Sequence, residues 1–356
     1  MTPPLLTVVL PTRNRPDNLT GQIKLFGRSP YPLVIADSSD PELAPGIRAL
    51  VPDFADYRTL APELTLYDKL ELVLRTIATP FVLIAPDRKI TLPHAIEPLL
   101  AHLVAHDDHV AAQGYVVGYT ADRDTVDINR VIWFTPTIGE DDPLQRHYHL
   151  MRRYQSRAFS VFRIAPVLGA VAQARRVEGA VFQETLMMNA LALQGKMARL
   201  PTVLTLQSQE RSFHPPKRNN PFFWFLDDID SFFKHYLRYR HALTDFIRTL
   251  RIAPPAGTDL DQLIDMVHAV WIHRNFDDGT LNHAARLLLG DAVAPLSGPD
   301  IPPRRSELSR RDVVRRGVRR YIWRDEVLRA EPRAEIRISQ DEMKRVMQQL
   351  DVYFGS

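Results

Sequence analysis

Apolar and polar positions alternate in two rhythms over the first 120 residues. Leu5–Leu10 is a β-rich apolar run ended by Pro11, and Asn18–Phe26 has the spacing of a helix with Asp17 or Asn18 near its cap. Leu33–Ala36 reads as a second strand, ended by Asp37-Ser38-Ser39-Asp40, and Arg58–Leu60 as a third. Tyr67–Ala78 places Leu70, Val73, Leu74 and Ile77 on one helical face. Phe81–Ala85 is a buried-type strand, Pro93–Ala105 a helix and Val110–Tyr119 a strand. Strands alternating with helices predict an α/β fold with a largely parallel central sheet, in which ligands bind beyond the carboxyl ends of the strands.

The rhythm then weakens. Residues 120–150 read as polar and irregular, followed by helices near 143–154 and 182–194 and strands near 158–162 and 198–206. From 220 the chain becomes aromatic and helical to about 251, with Phe222-Phe223-Trp224-Phe225 expected to form a core or interface helix. An Ala/Pro joint at 253–256 precedes helices near 259–274 and 279–289. Residues 291–303 read as a Pro-containing linker, and 340–353 as a last helix. The expected organisation is an α/β domain over 1–218, a helical extension over 219–290, and a tail over 291–356 holding the linker, an Arg-rich segment and the final helix. No internal repeat is visible.

Composition narrows the chemistry. The 356 residues contain no cysteine, which excludes disulfide scaffolds, thiolate catalysis and Cys-based metal sites, so a metal would need Asp, Glu, His or backbone oxygen. With 15 Gly against 28 Pro, rigid loops are favoured over Gly-rich ones. No apolar run approaches the length of a membrane-spanning helix and the first residues read as a strand rather than a signal peptide. A cytoplasmic protein is expected, with a peripheral place at the inner face of the membrane as an extension of that reading. The net charge is only +3, yet nine arginines between 301 and 324 face only Glu307 and Asp312. With Leu308, Val313, Val314, Val318, Tyr321 and Ile322 between them, that segment reads as a basic amphipathic helix suited to an anionic membrane surface, or as a solvated, internally paired one. A nucleic-acid partner is not expected.

Three strand ends carry polar clusters: Thr12-Arg13-Asn14-Arg15, Asp37-Ser38-Ser39 and Pro86-Asp87-Arg88-Lys89. VVLPTRNRPDNL (8–19), VIADSSD (34–40) and YDKLELVLRTIATPFVLIAPDRKI (67–90), followed by Phe159–Arg163 and Phe182-Gln183-Glu184, together resemble bacterial family-2-like inverting glycosyltransferases. The resemblance runs over roughly 5–215. It implies a GT-A fold, a Rossmann-like sheet that binds a nucleoside-diphosphate sugar as donor, and transfer to a glycan, lipid-linked or protein acceptor. It places Pro11 to Arg15, Asp37, Ser38, Asp68 and Lys69 around the nucleotide, Arg211 and His214 near its phosphates, and Glu184 as the general base.

One departure bears on mechanism. The family's acidic triplet holds a divalent cation such as Mn or Mg, and here it reads Pro86-Asp87-Arg88. Charge developing on a leaving diphosphate needs a cation nearby. Two solutions stand: a metal held by Asp87 with His214, or Arg88 and Lys89 in place of the metal. Asp87, Arg88 and Glu184 are therefore the expected catalytic residues. Each has a plainer reading: Asp37 as a turn aspartate, Asp68 and Glu184 as first-turn helix charges, His214 as a surface histidine. His147 and His149 are two apart and do not share a helical face. The alternatives to a transferase are a catalytically degenerate GT-A protein serving as a glycan-binding or scaffold module, and a nucleotidyltransferase. The latter would want a Gly-rich phosphate loop, and the loop at 12–15 has no glycine.

Overall fold

The computed structural model describes residues 4–122, 124–133, 136–152, 154–209, 221–274, 311–316, 319–324 and 338–355. The first half runs β1 (Leu6–Thr12), α1 (Pro16–Phe26), β2 (Leu33–Asp37), α2 (Ala44–Leu50), β3 (Ala55–Thr59), α3 (Leu66–Leu74), β4 (Phe81–Ile84), the short β5 (Ile90–Thr91), α4 (Ile96–Ala105) and β6 (His109–Ala121). Next come β7 (Thr125–Trp133), α5 (Pro143–Arg152), β8 (Val161–Arg163), α6 (Ile164–Ala174), α7 (Ala180–Gln194) and β9 (Lys196–Ser208). The remainder is α8 (Pro221–Asp227), α9 (Ile229–Thr249), α10 (Leu260–Arg274), β10 (Arg311–Arg316), β11 (Arg319–Arg324) and α11 (Gln340–Phe354). No described helix is long and apolar enough to cross a membrane.

The described strands make one sheet in the order β10-β11-β7-β6-β8-β4-β1-β2-β3, with β9 pairing both β6 and β5. β3, β2, β1 and β4 are parallel neighbours. The sheet is parallel there, as expected, and mixed beyond it: β8 runs antiparallel between β4 and β6 and β7 antiparallel to β6, while β9 is parallel to β6 and β11 to β7. β8 starts beside the carboxyl end of β4, so it can only run back down the sheet.

Local chemistry accounts for the boundaries. β1 continues through Pro11, against expectation. Val9 accepts from the Ala85 amide on the β4 side, whereas Val8 and Thr12 bond toward β2. Pro11 therefore faces the β4 side, and its missing N–H ends the β1–β4 ladder after the Ala85 bond, while β1 continues against β2. Pro16 starts α1 two residues earlier than expected, at the position where proline lacks only an amide that would be unsatisfied anyway. Thr65 and Asp68 form a reciprocal capping box on α3. α7 is buried on every side, with Phe182, Leu186, Met188 and Leu191 fully enclosed.

Two further expectations are corrected. Residues 120–150 are not irregular: they hold β7, whose polar alternation at Asp127 and Asn129 belongs to a strand. The Arg-rich segment is not a helix where it is described. β10 and β11 form an antiparallel hairpin, and β11 pairs in parallel with β7. Tyr321 and Trp323, two residues apart, are both buried beneath α11 with Met343, Val346 and Leu350. That period of two is a strand's. Residues 301–310 and the helix expected at 279–289 lie outside the described residues.

The apolar core has three parts: α3, α5, α6, α7, α9 and α10 on one face of the sheet, α1 and α4 on the other, and α11 against β6, β7, β9 and β11. Trp224 is enclosed as expected, packing on Phe182 and Phe232.

Candidate functional site

The carboxyl ends of β1, β2 and β4 lie side by side, and their polar clusters lock together. Asp87 is 3% exposed. Its Oδ2 accepts from Thr12 Oγ1 at 2.8 Å and from the Arg13 amide at 3.3 Å, and its Oδ1 from the Arg15 guanidinium at 3.2 Å. Asn18, one turn into α1, donates to the Asp87 carbonyl at 3.0 Å. The loop between β1 and α1 is thus folded onto the end of β4.

The same loop is tied to β2. Asn14 has a left-handed backbone, which asparagine tolerates. Its amide bonds Ser39 Oγ at 2.8 Å, and its side chain exchanges bonds with the Asp40 amide and carboxylate. Arg13 also reaches Asp40. Asp37 is fully buried. It accepts from the Ser39 amide at 2.8 Å, the Ser39 hydroxyl at 2.5 Å and the Tyr57 hydroxyl at 2.6 Å. Burial, then Asp37, pushes the Tyr57 hydroxyl up to about 12. Ser38 accepts from Lys69, a buried lysine on α3, at 2.8 Å. Burial pulls the Lys69 pKa down, and the nearby Asp87 partly restores it.

Beside this network a second group gathers around Glu184. Gly179 precedes α7 with a φ of 86°, and a Cβ there would collide with the Trp224 ring. That entry sets the first turns of α7 and so the place of Glu184. Glu184 Oε1 accepts from the Tyr154 hydroxyl at 2.9 Å. Burial, then the Glu184 charge, raises the hydroxyl pKa of both Tyr67 and Tyr154. Lys89 shares this environment. Its Nζ sits 3.9 Å from the centre of the Phe159 ring. Desolvation, opposed by Glu184 and aided by Arg88, lowers its pKa to about 7. Arg88 is exposed, and burial of part of its side chain, then Arg15, lowers its pKa.

The expected residues therefore sort into groups. Pro11 to Arg15, Asp37, Ser38, Lys69 and Asp87 form one network; Arg88 and Lys89 follow it, and Lys89 leads to Glu184. Asp68 stands apart. It caps α3 through Thr65 and pairs with Arg175 at 2.6 Å; the Thr65 bond, more than Arg175, lowers its pKa. Arg211 and His214 lie outside the described residues. Tyr57 and Tyr154 were not foreseen. Tyr154 gives no local signal, since its partner is 30 residues away. His147 is buried against Asn189 and pushed down to about 4 by burial, while His149 pairs with Glu140 on the surface.

A divalent cation fits this set poorly. Both Asp87 oxygens are engaged by protein donors, and the cations of Arg15, Lys69 and Arg88 lie near it. Among the described residues no cluster of three His, Asp or Glu is arranged to hold a metal. What the site does offer is a group of cationic side chains at strand ends, beside a carboxylate held by a tyrosine.

No known family profile matches the sequence, and no curated protein matches it. Solved structures share the fold. S. aureus TarS 1–349 in complex with UDP superposes with a TM-score of 0.50 at 11% identity, covering 80% of this chain and 74% of that one. Another S. aureus TarS structure gives 0.46 at 12% identity, covering 76% of this chain and 43% of that one, so this chain spans less than half of it. The chain has a mixed α/β, Rossmann-like sheet of the GT-A type.

Proposed function

We propose that this chain is a GT-A-type glycosyltransferase that uses a nucleoside-diphosphate sugar, with inversion and without a metal on the diphosphate. The observation that carries the reading is the convergence of Thr12–Arg15, Ser38–Ser39 and Asp87–Lys89 at neighbouring strand ends, with Glu184 electrostatically linked to Lys89. UDP in the TarS structure of the same fold supports a uridine nucleotide as the first donor to try.

In this mechanism the nucleotide lies across the ends of β1, β2 and β4. Asp87 holds the Thr12–Arg15 loop in place rather than touching the donor. Glu184 takes the proton of an acceptor hydroxyl as that oxygen attacks the anomeric carbon. The bond from that carbon to the diphosphate breaks on the opposite face, and its electron pair stays on the phosphate oxygen. Arg88 and Lys89 receive the growing negative charge. Tyr154 keeps Glu184 oriented.

A second reading, a donor-binding protein without turnover, draws on the absence of a second carboxylate after Asp87. Calorimetry with UDP, GDP, CDP and their sugars, each with manganese and with chelator, tests both. Binding indifferent to chelator, together with UDP release from a UDP-sugar, supports the transferase. Binding without release supports the second reading, and no binding to any nucleotide overturns both.

A further inference from the structure

The end of α11 makes a second cleft next to Arg88. The space, about 500 Å³, is lined by Lys24 of α1, Arg88, Lys89, Tyr119, Tyr353 and Phe354. Asp17 is the acid on its wall. Its size suits a one- or two-ring ligand. We infer that this cleft seats a sugar bearing a phosphate or similar anionic group, on the acceptor side of the proposed reaction.

The lining chemistry points there. Aromatic rings pack against the apolar faces of a pyranose, and Tyr119 and Phe354 meet edge to face with centroids 6.1 Å apart. Lysine and arginine neutralise phosphate. An apolar ligand would leave the cations unused, and an inorganic anion would leave the rings unused.

The aromatic wall is also held in place from afar. The Tyr353 ring lies directly over Gly21, where a Cβ would overlap it. A glycine inside a helix costs about 1 kcal/mol relative to alanine, so its position in α1 has a use in this close approach. Lys24 Nζ bonds the Gly355 carbonyl at 2.5 Å. At the other end of α11, one Glu342 oxygen accepts from the Val203 amide at 2.6 Å, Thr202 at 2.8 Å and His94 at 2.9 Å. Arg88 lines this cleft and also follows Asp87 at the strand ends, so a ligand here lies next to the donor diphosphate.

The inference rests on the donor reading only for the order of binding, and the test separates the two. The full chain is saturated with UDP, then titrated with glucose 1-phosphate, with methyl glucoside and with inorganic phosphate by calorimetry. Tyr353→Ala, Lys24→Ala and Gly21→Ala are compared. In Gly21→Ala the Tyr353 ring must swing aside while the helix gains propensity, so this variant disturbs the cleft without threatening the fold. Glucose 1-phosphate is expected to bind best of the three probes, and tenfold or more weaker to each variant, with UDP affinity within twofold of the wild type and melting temperature nearly unchanged in Gly21→Ala. Equal affinity for wild type, Tyr353→Ala and Gly21→Ala, or no binding of glucose 1-phosphate while UDP binds, overturns the inference and leaves the donor reading intact. Phosphate binding as tightly as glucose 1-phosphate, indifferent to Tyr353, also overturns it. Tyr353-dependent binding of glucose 1-phosphate without any UDP binding upholds the cleft and removes the donor reading.

Discussion

Thr12 donates its hydroxyl to Asp87 across 2.8 Å, joining the ends of β1 and β4 through two side chains 75 residues apart. The bond is buried, and Asp87 also holds Arg15 and the Arg13 amide. A buried carboxylate is tolerable only with such donors. Asp87, expected from the sequence as a metal ligand, is thus bonded here as the knot of a cationic loop.

That role makes Asp87→Asn a test of structure and binding at once. The amide keeps the shape but loses the charge that draws Arg15, and one of its two polar atoms can no longer accept. A loss of about 2 kcal/mol is expected, since charged, buried hydrogen bonds are worth roughly 1.5–3 kcal/mol. Thermal melting falls by several degrees, and UDP affinity drops at least tenfold as the 12–15 loop loosens. A variant that melts and binds as the wild type does would remove Asp87 from this role.

Glu184 and Tyr154 divide base from support. Glu184→Gln cannot take a proton, so UDP release from a UDP-sugar in the presence of acceptor is expected to fall by a hundredfold or more, within the usual 10²–10⁴ contribution of a general base. UDP affinity stays the same. Tyr154→Phe removes only the 2.9 Å bond that orients the carboxylate. It should lower kcat about tenfold and leave KM for the donor unchanged. A Glu184→Gln enzyme with full turnover ends the assignment.

The strand-end chemistry was legible because each polar cluster sits directly after an apolar run: Leu10 before Thr12, Ala36 before Asp37, Ala85 before Asp87. Their mutual bonding was not, because Thr12 to Asp87 and Asn14 to Ser39 are contacts of tertiary structure. Asp37 shows the limit. Its turn bonds to Ser39 follow from the local sequence, but the Tyr57 hydroxyl on its other oxygen comes from the neighbouring strand. Beyond residue 120 the sequence misleads for a different reason. In β10 and β11, arginines on a strand resemble a basic helix until Tyr321 and Trp323 are seen to alternate into one core. Tyr353 carried no signal at all, since its place depends on Gly21 more than three hundred residues away.

Lys89 should respond to pH in a direction set by its lowered pKa of about 7. An unfolded lysine titrates near 10.5. Between about pH 7 and 10 the unfolded chain holds a proton that the folded chain has released, so stability rises with pH across that window. At pH 7 and below, the charged lysine is held in the fold at a disadvantage. Lys89→Met is therefore expected to melt a few degrees higher at pH 6, with the gain vanishing by pH 10, and to bind UDP more weakly. A diphosphate beside Lys89 restores its charge, so UDP binding at pH 8 should take up a fraction of a proton in the wild type and less in Lys89→Met. Calorimetry in buffers of different ionisation enthalpy reads this directly. Binding without proton uptake at pH 8 would separate Lys89 from the diphosphate.

Glu342 offers the complementary case, at the far end of the helix that carries Tyr353. Burial alone would raise its pKa, but the bonds from His94, the Val203 amide and Thr202 outweigh it and hold the carboxyl below its usual range. A depressed carboxylate lends stability that is fully present above its unfolded pKa and lost as pH falls through its folded one. The contribution is thus intact at pH 7 and fades below about pH 4.5. Glu342→Gln leaves the Val203 amide and Thr202 with a weaker acceptor, and about 2 kcal/mol is expected to go with it. The melting temperature then drops by several degrees at pH 7, and the gap to the wild type narrows in acid. α11 also packs through Met343, Val346 and Leu350. The helix should therefore stay docked but fray more often, which hydrogen exchange would show as faster labelling of 340–354 with β1 and β4 unchanged. Exchange as slow as in the wild type would mean that the apolar face alone fixes α11.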